Sequence, residues 1–96
     1  MVIRYCPAID VKGLLEEIAN KLGFSYVLVD RVICLRSSGS KAKHTIARIH
    51  GLSRVWQRAL GMKTHYVVEV ISERYDTLAQ EEKEKVIIHE LLHVPR

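Results

Sequence analysis

The sequence predicts a single α+β domain, and three stretches carry that reading. Residues 10–22 repeat apolar side chains at helical spacing, residues 64–71 alternate with the two-residue period of a strand, and residues 79–94 return to helical spacing. Ninety-six residues with 48% hydrophobic content suffice for one modest core, so the expected domain is 1–96. No apolar run approaches the roughly 18 residues that span a bilayer. The N-terminus also lacks the order of a signal peptide, and a soluble cytoplasmic protein without a membrane partner is expected.

Taken in order, residues 1–7 read as a short lead-in, with Pro7 disfavouring helix at Cys6. Asp10 is placed to cap a helix over 10–22, in which the apolar positions Val11, Leu14, Leu15, Ile18 and Leu22 repeat at helical spacing and Gly23 ends it. Glu16, Glu17 and Lys21 then face water. Residues 24–36 are rich in β-branched and aromatic residues, interrupted at Asp30-Arg31, which predicts two short strands or one bent strand. Ser37 to Lys41 is turn material. Thr45 to Ile49 suits a further strand.

Ser53 is an N-cap for a short helix near 53–60, closed by Gly61, with Val55, Trp56, Ala59 and Leu60 on its apolar side. Trp56 is read as core, although a lone tryptophan also suits base stacking. The strand 64–71 sets His65, Val67, Glu69 and Ile71 on one face and Thr64, Tyr66, Val68 and Val70 on the other. Glu69, set among apolar residues, needs a partner such as an Arg or Lys of the middle segment. Two cysteines, Cys6 and Cys34, show neither a disulfide framework nor CxxC spacing and are read as buried thiols.

The net charge is +4. Its distribution says more. Arg31 to Lys63 holds eight Lys or Arg residues and no Asp or Glu, while the flanks hold seven basic and eleven acidic residues, so the middle is +8 and the flanks −4. Such asymmetry attracts phosphate backbones or an acidic partner, and Arg48, Arg54 and Arg58 are the candidate nucleic-acid contacts. A solvated basic face balanced by the acidic flanks explains the same numbers.

Chemistry concentrates in His89-Glu90-Leu91-Leu92-His93. On a helix over 79–94 the two histidines lie one turn apart, about 6 Å along the axis, so both imidazoles can reach one metal ion. Glu90 stands beside them as a carboxylate able to take a proton from water. The helix has its own signals. Thr77 and Gln80 have capping-box spacing, Glu81 and Glu82 fill the first turn, and Ile87, Ile88, Leu91 and Leu92 make an apolar stripe. That stripe leaves Val86, His89, Glu90 and His93 towards a cleft. A purely structural histidine pair is the competing reading.

The segment Val86-Ile87-Ile88-His89-Glu90-Leu91-Leu92-His93-Val94-Pro95 resembles the active-site helix of short archaeal and phage zinc metallopeptidases, a minimal zincin group similar in style to SprT-like proteins. The resemblance is close over residues 64–95. It implies a minimal zincin-like fold: an N-terminal helix, a small mixed or antiparallel sheet, a short helix, and a C-terminal HExxH helix against the sheet. It further implies Zn2+ held by His89 and His93, Glu90 as general base, a peptide or protein substrate, and strand 64–71 as the edge that receives the substrate backbone. Zincins supply a third ligand, commonly His or Glu, beyond this helix. Here only Val94, Pro95 and Arg96 follow, so the expectation is a C-terminally incomplete ligand set, weak zinc affinity and little or no proteolysis by these residues alone.

Internal candidates for the third ligand are His44, His50, His65, Glu69 and Glu73, none at a diagnostic spacing. Two other classes of function stay open. One is a non-enzymatic module binding nucleic acid or an acidic partner through residues 31–63; the other is a degenerate member with a structural role, pairing as a homodimer.

Overall fold

The computed structural model describes residues 2–94, apart from the side chains of Tyr26 and Val27. The chain runs β1 (Arg4–Pro7), α1 (Ile9–Leu22), α2 (Tyr26–Asp30), β2 (Val32–Ser38), β3 (Ala47–Gly51), α3 (Arg54–Leu60), β4 (Tyr66–Ile71), α4 (Ser72–Tyr75) and α5 (Gln80–Leu92). Four strands form one mixed sheet in the order β1-β2-β4-β3. β1 and β3 are antiparallel to their neighbours, and β2 and β4 pair in parallel. A parallel pair needs a long crossover, which residues 39–65 supply by carrying β3 and α3.

Register assigns the two sheet faces. Val32 and Cys34 of β2, Val68 and Val70 of β4, and Ala47 and Ile49 of β3 share one face. Against it pack Val11, Leu15, Ile18 and Ala19 of α1 and Ile87 and Leu91 of α5, in one continuous core. The spacing of the α1 residues is the i, i+4, i+7, i+8 stripe of an amphipathic helix, so α1 follows its periodicity. Gly23 ends it with φ 79°, a left-handed conformation that costs a residue with a Cβ about 1–2 kcal/mol.

One guanidinium fastens the helices to the sheet. Arg36 donates to both oxygens of Asp10, at 3.0 and 2.8 Å, and to both oxygens of Asp76, at 2.8 to 3.2 Å. Asp10 is therefore no cap. Ala8 holds that position, and hydrogen bonding to Arg36 draws the Asp10 carboxyl down to about 2.

Several expectations are corrected. Residues 26–30 form a helix where a strand was expected, because Ser25 Oγ accepts from Leu28 N and so caps a turn that β-branched composition disfavours. The lead-in contains β1, paired with β2 from Arg4 opposite Ser38 to Pro7 opposite Leu35. Cys6 lies exposed on that strand, while Cys34 is buried and its thiol is pushed up to about 11 by burial. β2 continues through Ser38, into the stretch expected to be loop.

α3 has the caps expected of it, Ser53 Oγ accepting from Trp56 N and Gly61 at φ 64°, yet it buries no residue, and Trp56 is 59% exposed rather than core. The Thr77–Gln80 capping box does not form. Thr77 donates its hydroxyl to Arg74 O, and Ala79 is the N-cap of α5 without a side-chain bond.

Candidate metal centre

α5 ends at Leu92, so His89 sits in its last turn and His93 at the C-cap, in right-handed helical geometry with φ −85° and ψ −10°. Helical continuity through that residue brings the imidazoles together as the spacing requires. Their Nε2 atoms lie 3.2 Å apart, the ring centroids 4.7 Å apart and the planes at 81°. Both side chains are exposed, so an ion can approach from solvent.

The donor geometry tests directly for zinc. With Zn–N bonds of about 2.0–2.1 Å, a 3.2 Å separation of nitrogens subtends about 103° at the ion, close to a tetrahedral angle. That spacing of the two nitrogens is compatible with one zinc ion between them. Among the described residues no third His, Cys, Asp or Glu gathers with it into a ligand set.

Glu90 is 7% exposed, while Leu92, expected in the apolar stripe, faces solvent. Ile87 and Leu91 anchor the helix in the core, and Glu90 follows them round to the cavity side. It makes no hydrogen bond or ion pair among the described residues. No buried side-chain oxygen lacks a partner, so its carboxylate oxygens open to solvent. They open at a cavity of about 460 Å³ shared by Glu90, His89 and Val86 of α5 with His44, Ile46 and Ala47 at the entry to β3. Val86, His89 and Glu90 thus line a cleft as the helical pattern predicts. His93 stands outside this lining, and Pro95, next in the motif, lies outside the described residues.

The strand beside the cavity is β3. β4 was the expected receiving edge, but it lies between β2 and β3 with both ladders filled. Ile71 N donates to Ile46 O and Leu52 N to His65 O, which with the register turns the backbone groups of Arg48 and His50 towards β4 and those of Ala47, Ile49 and Gly51 outward. The open edge therefore begins at Ala47, within the cavity lining.

The other candidate ligands are dispersed. On the sheet face away from α1 and α5, Glu69 accepts from Ser37 Oγ at 2.6 Å and bonds His50 Nε2 at 2.8 Å, with Arg48 Nε at 3.4 Å. Burial works to raise the Glu69 carboxyl, but these hydrogen bonds and the Arg48 charge outweigh it and hold the carboxyl below its ordinary range. Glu69 has the Arg partner expected from the middle segment, together with a serine and a histidine that the pattern did not indicate. His65 Nδ1 bonds Lys63 O, and Glu73 accepts from Gly39 N. Only His44 of this group shares the motif's cavity. The three arginines suggested for nucleic acid also separate. Arg48 sits beside Glu69, whereas Arg54 and Arg58 lie one turn apart on α3 around a shallow hollow with Gln57 and Met62.

The site is thus a helix against a mixed sheet that carries two neighbouring imidazoles and an unpartnered carboxylate. The chain belongs to a metallopeptidase family of phages: the family profile described as "Putative phage metallopeptidase" matches residues 3–96. No curated protein and no solved structure matches the chain. Among the described residues no helix is long and apolar enough to cross a membrane.

Proposed function

We propose that the chain is a zinc-dependent, metallopeptidase-like hydrolase in which His89 and His93 hold the ion and Glu90 is the general base. The observation that supports it most is the 3.2 Å separation of the two Nε2 atoms at the solvent end of α5, with the Glu90 carboxylate free of other partners beside them. When bound there, zinc supplies a Lewis acid that polarises the scissile carbonyl and makes an attacking water more acidic. Glu90 takes that water's proton, and its place next to the ligands, without being one, is what this role requires.

A peptide in extended form adds to the outward backbone groups of Ala47 and Ile49, which sets its carbonyls along the mouth of the cavity. Side chains of Ile46 and Val86 give that mouth an apolar wall. Two imidazoles bind zinc more weakly than the three ligands of a catalytic site, and among the described residues no third ligand gathers with them, so weak zinc binding and little or no cleavage are expected.

The test is metal retention followed by cleavage. Zinc titrated into the purified chain should bind to wild type and fail to bind His89→Ala or His93→Ala. Glu90→Gln should keep the ion and lose any cleavage of an unstructured protein substrate. Zinc bound equally by all the variants, or cleavage that survives Glu90→Gln, would refute the assignment.

A further inference from the structure

The sheet face turned away from α1 and α5 carries a second pair of histidines. β3 and β4 set His50 opposite Val67, and Leu52 N donates to His65 O, so the pairing continues to Leu52 opposite His65. His65 and Val67 project from the β4 side in the same direction, which makes His50 and His65 diagonal neighbours on one face, with backbones about 7–8 Å apart. Both line a cavity of about 280 Å³ whose wall also holds Ile33, Leu52, Met62 and Val67. Two imidazoles so placed can share one ion.

A hydrogen bond settles which nitrogen of each ring is available. His65 Nδ1 meets Lys63 O at 2.7 Å, and a carbonyl only accepts, so Nδ1 carries the proton and Nε2 keeps its lone pair. His50 Nε2 meets Glu69 Oε1 at 2.8 Å, and that carboxylate, ionised at neutral pH, also only accepts. The lone pair of the neutral His50 ring is therefore on Nδ1. Neither lone-pair nitrogen has a hydrogen-bond partner among the described residues. An imidazole whose other N–H is tied to a carboxylate or a backbone carbonyl is the arrangement that orients histidine towards a metal.

The third donor selects the ion. Among the described residues no set of three His, Cys, Asp or Glu forms here, but Met62 shares the cavity wall, held at the end of α3 by its backbone N donating to Gln57 O at 2.9 Å. Two neutral imidazoles and a thioether make a soft donor set without negative charge, which suits monovalent copper better than zinc. The Glu69 carboxylate behind His50 supplies the balancing charge.

We propose that His50 Nδ1, His65 Nε2 and the Met62 thioether form a copper(I) site on this face, with Glu69 and Lys63 O orienting the rings. It shares no residue with the histidine pair of α5.

The test is a titration with copper(I), kept reduced by ascorbate and competed by bicinchoninate. The background chain carries His89→Ala, His93→Ala and Cys6→Ser, which removes the α5 pair and the exposed thiol. It should bind one equivalent. His50→Gln, whose amide can still donate to Glu69, His65→Ala and Met62→Leu should each weaken binding by at least about tenfold, with an unchanged far-ultraviolet dichroism spectrum. All three positions have access to solvent, so the folded background tolerates them. Absence of copper binding, binding unchanged by His50→Gln or His65→Ala, or full affinity after Met62→Leu would overturn the proposal.

Discussion

Replacing Glu69 with alanine tests how the edge strand is held. The carboxylate sits in β4 and reaches sideways in both directions, to Ser37 on β2 and to His50 and Arg48 on β3. Its loss leaves the Ser37 hydroxyl, wholly buried, without an acceptor, at about 1–3 kcal/mol. His50 and Arg48 are partly exposed and recover water, so their share is about 1 kcal/mol. The expected total is about 3 kcal/mol, or a fall in Tm of about 10–20 °C for a domain of this size.

Thermal and urea unfolding followed by circular dichroism measure it. Ser37→Ala with Glu69→Leu, which removes both polar partners, should cost less than Glu69→Ala alone. The pH dependence gives a second reading. Because the folded carboxyl lies below its ordinary value of 4.5, its stabilisation is complete above that value and is lost as pH falls through the folded one. The gap between wild type and Glu69→Ala should therefore narrow on acidification below about pH 4.5. A Tm within about 3 °C of wild type at neutral pH would refute the reasoning.

The remaining predictions concern the helices and the ion. Asp10→Asn should destabilise by under about 1 kcal/mol at neutral pH, since Asp10 is largely exposed, and that difference should vanish as wild type is acidified from about 3.8 towards about 2 in a urea titration. Arg36→Met strips partners from two carboxylates at once and should cost more, about 1–2 kcal/mol, again by urea unfolding. Gly23→Ala forces a Cβ into left-handed geometry and should lower stability by about 1 kcal/mol in the same assay. Zinc should leave the His89–His93 pair on acidification, because only neutral imidazoles ligate, and a competition titration with a chelator at several pH values will follow it.

Elements whose signals are local were legible in the sequence. α1, α3 and β4 announce themselves through periodicity and caps, and the HExxH spacing told where the imidazoles would meet. Misreadings arose where a neighbour decides. Tyr26–Asp30 has strand composition, yet the Ser25 cap and the chain's need to reverse between α1 and β2 make it helical. Trp56 has the spacing of a core residue, but nothing in α3 itself reveals that Gln57, not the tryptophan, will face the body.

Strand order was beyond local pattern altogether. That β4 is interior and β3 the open edge depends on a parallel pairing made across a long crossover. Glu90 entered the reading as a base from the motif alone. Its burial could not be seen there, because the motif alone does not say which side of the helix is covered, and Leu92, about 200° round from Glu90, is the residue left in solvent.

The histidines occupy the last turn of α5, and that address has an electrical meaning. Peptide dipoles aligned along the helix leave a partial negative charge of roughly half an electron at this terminus, favourable to a cation by about 0.3–1 kcal/mol where water has access. The acidic opening turn, Glu81 and Glu82, matches the positive pole at the far end. For the ion proposed at His89 and His93, this negative pole is a favourable field, and it is the opposite end of the polarity that Glu81 and Glu82 begin.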